Sequence, residues 1–136
     1  NLLSELNGHI EINADWMSAT RTIYMDGREH PESEVGFYQG HSVGRWEDGD
    51  LVIETTNFSE NPIGNVFSIS SGINKKLIER ISLNDNASTA TYSFTLTDPE
   101  YLAAQVEGSY EWHYRPDVSI SSEVCDPEIA RRYLEE

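Results

Sequence analysis

From Thr89 to Thr97 the sequence reads Thr-Ala-Thr-Tyr-Ser-Phe-Thr-Leu-Thr, a strict alternation of polar and apolar side chains. Only an extended strand repeats every second residue, so Ala90, Tyr92, Phe94 and Leu96 share one face and the hydroxyl side chains the other. A strand patterned this way belongs in a sheet with one packed face and one wet face, which is the habit of antiparallel sheets. The same signature recurs along the chain. His9 to Asn13 places Ile10 and Ile12 between polar residues, and Arg21 to Asp26 is β-branched and aromatic before the turn dipeptide Asp26-Gly27. Leu77 to Leu83 precedes the turn cluster Asn84-Asp85-Asn86, which leads into Ser88 to Thr97. Gln105 to Arg115 alternates again, with Val106, Gly108, Tyr110, Trp112 and Tyr114 on one face and Glu107, Glu111, His113 and Arg115 on the other.

His41 to Asn57 carries the sharpest hairpin signal. Asp48-Gly49 suits a two-residue type I′ turn, where both central residues need positive φ. That register sets Trp46 opposite Leu51 and Gly44 opposite Ile53 on an apolar face. Val43, Arg45, Val52 and Glu54 fall on the other, with Arg45 and Glu54 placed as diagonal partners. Pro31 to Gln39 and Phe58 to Lys76 read as long loops, and Glu100 to Ala104 as a helical turn. A short C-terminal helix is expected from Asp126, which can cap it, with Pro127 at its first position and Glu128 against the N-terminal dipole. The fold expectation is therefore mainly β: a single antiparallel meander of roughly six strands, curved or curled into an open barrel, in one domain over residues 1–136. A chain beginning at Asn1 rather than Met is expected to lack upstream sequence.

Charge narrows the partners. Twenty-four acidic against nine basic side chains give a net charge of −15, which repels phosphate backbones and anionic membranes, so neither nucleic acid nor membrane insertion is expected. Cys125 is the only cysteine; no intrachain disulfide forms, and the thiol reads as a small apolar side chain. His9, His30, His41 and His113 show no spacing that pairs them on one strand or helix face, so neither a metal site nor another cofactor is expected.

Two blocks look familiar: Arg21-Thr-Ile-Tyr-Met-Asp-Gly-Arg-Glu-His-Pro31, and Gly40-His-Ser-Val-Gly-Arg-Trp-Glu47 followed by Leu51-Val-Ile-Glu-Thr-Thr-Asn-Phe58. They resemble a family of uncharacterised bacterial proteins with an R-x-I-Y-x-D-G-R-x-H-P block and an S-x-G-x-W-E-G-D-x-L-V-V-E-T-T-x-F block. Asp98-Pro99 and Cys125-Asp-Pro-Glu128 extend the likeness, which runs from about Thr20 to the C-terminus. The resemblance implies no particular activity. It does imply an exported protein, periplasmic or secreted, with further sequence upstream. The turn here, Glu47-Asp48-Gly49-Asp50, places its glycine one residue later than the family's order.

Three constellations bear on chemistry. Gly40-His41-Ser42-Val43-Gly44 matches the G-x-S-x-G pattern of a hydrolase nucleophile elbow, which requires a strand-to-helix turn. A hairpin follows here instead, so Ser42 reads as a strand residue whose flanking glycines permit close packing under Trp46. Asp26, Arg28 and His30 lie beside Tyr24 after a strand. His30 with the Asp26 carboxylate is an acid–base pair for neutral pH with Arg28 as anion holder; the alternative is a tight turn in which Asp26 accepts backbone N–H bonds. Finally, Trp46, Tyr92, Phe94, Tyr110, Trp112 and Tyr114 share a face with Gly44 and Gly108. That face reads as a small-molecule cavity with Tyr24 to His30 at its rim, or else as solid core.

Three functions compete. The leading expectation is a module binding an apolar or aromatic compound against Tyr24, Trp46, Tyr92, Tyr110 and Trp112. The second is an acid–base enzyme (isomerase, lyase or hydrolase) using His30, Asp26 and Arg28. The third is a homodimeric interaction protein whose second copy covers the apolar face.

Overall fold

The computed structural model describes residues 3–6, 8–14, 19–32, 34–66, 69–85 and 87–119. Its strands are β1 (Leu3–Leu6), β2 (His9–Ala14), β3 (Ala19–Tyr24), β4 (His41–Glu47), β5 (Asp50–Thr56), β6 (Asn61–Val66), β7 (Ile69–Ser71), β8 (Lys76–Leu83), β9 (Thr89–Thr97) and β10 (Val106–His113). Eight of them form one sheet in the order β1-β2-β3-β4-β5-β8-β9-β10, and β6 and β7 pair separately. The chain is mainly β, as its alternation requires, and the sheet curls into a half-barrel. The helix expected from Asp126, and Cys125, lie outside the described residues.

Local signals set the registers. Asp48 and Gly49 both take positive φ, 51° and 90°, as a type I′ turn demands. Trp46 then pairs with Leu51 and Gly44 with Ile53. At the β8–β9 turn the Asn84 side chain bridges the strand ends, donating from Nδ2 to Thr89 Oγ1 and accepting from Thr91 Oγ1.

The inward phases of the strands build one concave core. Ile10, Ile23, Leu51, Ile53 and Ile81 are buried together, with Ile12, Met25, Ala90, Tyr92 and Trp112 packed against them. Within this apolar phase lie two charges. Arg21 on β3 reaches Glu79 on β8 with NH2–Oε2 at 2.7 Å and NH1–Oε1 at 3.3 Å, and Tyr92 donates to Glu79 Oε1 at 2.9 Å. Three ladder spacings separate β3 from β8, so a flat sheet would hold these backbones ~14 Å apart. Their contact is possible only because the sheet curls toward this face.

Several expectations need correction. The sheet is not wholly antiparallel: β3 and β4 pair in parallel through Ile23–Ser42 and Tyr24–Val43. A parallel neighbour demands a crossover of a dozen or more residues, and residues 25–40 supply it. The segment expected as one loop from Phe58 contains β6 and β7, hidden because Pro62 and Gly64 interrupt the alternation and the register shifts between its two ends. The 100–104 segment forms no helix; Tyr101 and Leu102 N–H groups instead close a turn on the Asp98 carbonyl. Arg45 pairs with Glu47 rather than Glu54, and Glu47 also takes Arg80, which bonds Asp50. The Arg45 and Arg80 stems flank Val52 in the ladder, and Val52 is buried on this otherwise charged outer face.

Candidate functional site

Alternation divides the nominated residues between the two faces of the sheet. Trp46, Tyr92, Tyr110 and Trp112 take the inward phase. Tyr92 and Trp112 stack with centroids 4.7 Å apart and planes at 8°. Trp46, however, is 59% exposed and Tyr110 61% exposed. Trp46 stands at the hairpin end and Tyr110 on the edge strand β10, where the curl leaves the face open. The glycines do not keep a cavity open either. A Cβ at Gly108 would run into the Phe94 ring, and one at Gly44 would meet Met25 Sδ at 2.5 Å and Ile23 Cγ2 at 2.8 Å. Both gaps are already filled by side chains. A trough of about 570 Å³ runs along β8–β10 past Phe94 and Gly108, but no histidine lines it.

Tyr24, Asp26, Arg28 and His30 come together on the opposite, outer face, not at a rim of the aromatic one. The parallel junction explains their place. Because β4 starts beside the end of β3, the crossover must travel back over the outer face, and this lays His30 against His41 of β4 and Glu54 of β5. His30 Nδ1 lies 3.0 Å from His41 Nδ1, and His30 Nε2 lies 3.3 Å from Glu54 Oε1. The carboxylate beside His30 is therefore Glu54. Asp26 is engaged with Arg28, through Nε–Oδ1 at 2.9 Å and NH2–Oδ2 at 2.6 Å, and also accepts the Arg28 backbone N–H. That guanidinium holds the Asp26 carboxyl down at about 2. Asp26 thus orients Arg28, whose Cζ sits 3.7 Å over the Tyr24 ring. Tyr24 in turn stacks on His41 at 5.2 Å and 24°, so guanidinium, phenol and one imidazole form a stack, and His30 meets His41 edge-on with the ring planes at 78°.

Asn57 fixes the crossover. It is buried with φ of 56°, a left-handed conformation that asparagine tolerates. Its Nδ2 lies within 3.2 Å of the carbonyls of Pro31, Glu32 and Val35. Two N–H bonds are thus shared among three acceptors. The Phe37 N–H donates to the Asn57 carbonyl at 2.8 Å, and Ser59 N–H to the Phe37 carbonyl at 2.9 Å. The segment after His30 is thus tied to the end of β5 by the Asn57 amide over Pro31 to Val35 and by main-chain bonds at Phe37.

The hydrogen bonds restrict the tautomers. If both imidazoles are neutral, His30 must keep its proton on Nε2 to meet Glu54, so its Nδ1 accepts. His41 must then donate from Nδ1, which leaves a lone pair on His41 Nε2. That nitrogen has no hydrogen-bond partner among the described residues. Burial, then the charges of His30 and Arg28, push His41 below the usual imidazole value, favouring this neutral state. Lys76 Nζ contacts Glu54 Oε2 at 2.5 Å, and this bond keeps the Glu54 carboxyl below its ordinary range despite partial burial. Three grooves open around the pair. One of about 280 Å³ runs past Tyr24, Phe37, Gln39 and His41. Another of about 270 Å³ lies between Arg28, His30 and Glu54, and a third of about 360 Å³ between His30, Asn57 and Lys76.

Ser42 is buried in β4 and shares a 2.8 Å hydrogen bond with Thr55 Oγ1. It has the surroundings of a core hydroxyl, not of an exposed nucleophile. Among the described residues no three His, Cys, Asp or Glu side chains converge in a way that would hold a metal ion; His30 and His41 spend their facing nitrogens on each other. No helix of the described residues is long and apolar enough to cross a membrane, a statement that concerns helices alone. Compared with protein-family models, curated proteins and solved structures, the chain matches none.

His30 was legible as a candidate from its place after the strand beside acidic and basic neighbours. His41, Glu54 and Asn57 were not singled out. His41 and Glu54 do share the outward phase of the β4–β5 hairpin, but only the crossover turns that phase into a site.

Proposed function

We propose that this chain is an acid–base enzyme whose working group is Nε2 of His41. One observation carries the reading: the continuous chain Glu54–His30–His41, which ends on a nitrogen without a hydrogen-bond partner among the described residues, on a ring that lines a groove. When His41 Nε2 takes a proton from a substrate, the charge need not stay there. His41 can pass its Nδ1 proton to His30 Nδ1, placing the imidazolium beside the Glu54 carboxylate. The returning proton follows the reverse path, as an isomerisation or elimination needs. Tyr24 and Phe37 supply apolar walls and Gln39 a hydrogen-bonding amide, which fits a small unsaturated or aromatic compound in the 280 Å³ groove. Arg28, held by Asp26, supplies positive charge for an anionic group of the substrate.

A binding module centred on Trp46, Tyr110 and Trp112 has less support, because Phe94 and Met25 fill the spaces that a ligand would need. The test uses 5-nitrobenzisoxazole, a small planar compound that ring-opens when a base removes its carbon-bound proton. The protein should accelerate opening above an equal concentration of free imidazole, with a rate rising as His41 loses its proton. His41→Gln should lose that acceleration, roughly 10²–10⁴-fold for a positioned base, while Ser42→Ala keeps it. Equal rates for wild type and His41→Gln would defeat the proposal.

A further inference from the structure

β10 ends the eight-stranded sheet, so one of its edges pairs with β9 and none of the described residues pairs with the other. The ladder shows which backbone groups that open edge presents. The Tyr114 N–H donates to the Ser88 carbonyl at 2.8 Å, which continues the β9–β10 register as a hydrogen-bonded pair. Such pairs alternate with non-hydrogen-bonded ones in an antiparallel ladder. Gly108, Tyr110 and Trp112 therefore turn their N–H and C=O groups toward β9. Glu107, Ser109, Glu111 and His113 turn theirs to the open side.

An edge like this is a template for another strand unless something blunts it. β10 holds no proline or lysine, and its register runs unbroken from Val106 to His113, so no bulge twists it away. Its apolar side chains are bare as well: Val106 is 43% and Tyr110 61% exposed, and Tyr114 just beyond the strand is 73% exposed.

The side chains say which strand fits, because this one complements itself when read backwards from Tyr110. An antiparallel second copy on a two-fold axis at Tyr110 sets Glu107 opposite His113 and Ser109 opposite Glu111, each twice. These four are the residues whose backbone groups are open. On the concave side Val106 meets Tyr114, Gly108 meets Trp112, and Tyr110 meets itself at a non-hydrogen-bonded position, where side chains come closest. The largest ring thus lies opposite the residue without a side chain. Neighbouring registers fail on charge, since like charges directly opposite destabilise a sheet. An axis at Ser109 sets Glu107 against Glu111. An axis at Glu111 sets that glutamate against itself, and the Arg115 it brings to Glu107 is already paired with Asp117. In a single copy Glu107 and His113 have only neighbours along their own strand, Gln105 and Glu111.

We propose that two copies of this chain join edge to edge through antiparallel β10 strands about a two-fold axis at Tyr110, which makes one continuous sheet of two half-barrels. The contact is isologous and uses up both open edges, so assembly stops at the dimer instead of running on into a fibre. His41 and Glu54 lie on β4 and β5 and take no part in it.

The test is sedimentation equilibrium of the whole chain over a range of concentrations. The mass should rise from 15.4 kDa toward twice that value. His113→Glu, at an exposed position, should fold with an unchanged circular dichroism spectrum. It should weaken association roughly 10-fold, because the symmetry sets it against Glu107 twice. Adding Glu107→Lys to that variant should restore the dimer. The register is read by single cysteines placed in a Cys125→Ser background. Tyr110→Cys should close a disulfide between copies under mild oxidation, since its Cα atoms would face each other within bridging distance, and Ser109→Cys and Glu111→Cys should not. A chain that stays at 15.4 kDa at every concentration overturns the interface and means that the edge is covered from within its own copy. A dimer that survives His113→Glu undiminished, or is not restored by Glu107→Lys, overturns β10 as the contact in favour of another face. Bridging at Ser109→Cys or Glu111→Cys in place of Tyr110→Cys overturns the register.

Discussion

Replacing Arg21 with methionine tests whether the half-barrel is held by a charged clasp. Methionine keeps most of the apolar stem and removes the guanidinium, so the change isolates the contact across the concave face. Glu79 would keep only the Tyr92 hydroxyl of its three donors, with its side chain 5% exposed. Stranding one member of a buried ion pair typically costs ~3–5 kcal/mol. For a chain of 136 residues, an unfolding entropy of about 2.1 cal/mol/K per residue converts that loss to a Tm drop of ~10–17 °C.

Removing both partners should behave differently. Arg21 Nε is buried without an acceptor, and an unsatisfied buried polar atom costs ~1–3 kcal/mol. The pair's net worth against an apolar replacement is therefore small. Arg21→Met with Glu79→Leu should recover most of the loss, with a coupling energy of at least ~2 kcal/mol in the double-mutant cycle. Urea unfolding followed through tryptophan fluorescence is the assay, since Trp112 stacks on the Tyr92 that joins the network. If Arg21→Met costs under ~1 kcal/mol, or if the double variant loses the sum of the singles, Glu79 is hydrated in the folded state and the clasp reasoning fails.

Three further outcomes follow from other contacts. His41 is held below its ordinary 6.5 by burial, so the unfolded chain binds its proton first as pH falls; this stability is full above 6.5 and is lost as pH drops through the folded value. Thermal melts between pH 7.5 and 5 should show that slope, and His41→Gln should flatten it. Asn57→Ala removes the amide that holds the carbonyls of Pro31, Glu32 and Val35 and puts a Cβ residue without a compensating side chain at positive φ, for ~1–3 kcal/mol, while Asn57→Gly loses the same amide but keeps the backbone at ease and should cost less; in urea titrations a negligible loss in both variants would contradict the clamp, and equal losses the positive-φ cost. Gly108→Leu drives a side chain into the Phe94 ring and should cost ~1–3 kcal/mol by overpacking, with tolerated stability pointing instead to open space.

What the sequence disclosed about the fold is what local physics controls. The Asp48-Gly49 turn fixes a register by its own backbone requirement, and alternation assigns each side chain to a face without reference to any other strand. Even the clasp left a trace. Arg21 shares the phase of Ile23, and Glu79 the phase of Leu77 and Ile81, so two opposite charges stood in apolar registers. Alternation is silent on which strands are neighbours and in which direction they run. The β3–β4 pairing was therefore read as antiparallel, and β6–β7, broken by Pro62 and Gly64, was read as loop. Burial was overestimated for the same reason. The parity of Trp46 and Tyr110 was right, but parity says nothing about whether another layer covers a residue.

The site was half legible because its parts obey different rules. Tyr24, Asp26, Arg28 and His30 are close in sequence, so a turn could bring them together whatever the rest of the chain did. Their chemistry, however, depends on His41 and Glu54, and these reach His30 only because β4 lies parallel to β3. Had the two strands formed a tight antiparallel hairpin, Asp26 to Gln39 would have had no reason to cross the outer face, and the His41 ring would have faced solvent. The same crossover that the alternation could not reveal brings His30 onto His41 and helps leave that half-buried ring beside a groove. A circular permutation or loop deletion that lets β4 pair antiparallel should keep the β-rich content and the Asp26–Arg28 pair. It should also restore an ordinary imidazole titration to His41, so one chemical shift of that ring against pH tells whether the topology makes the site.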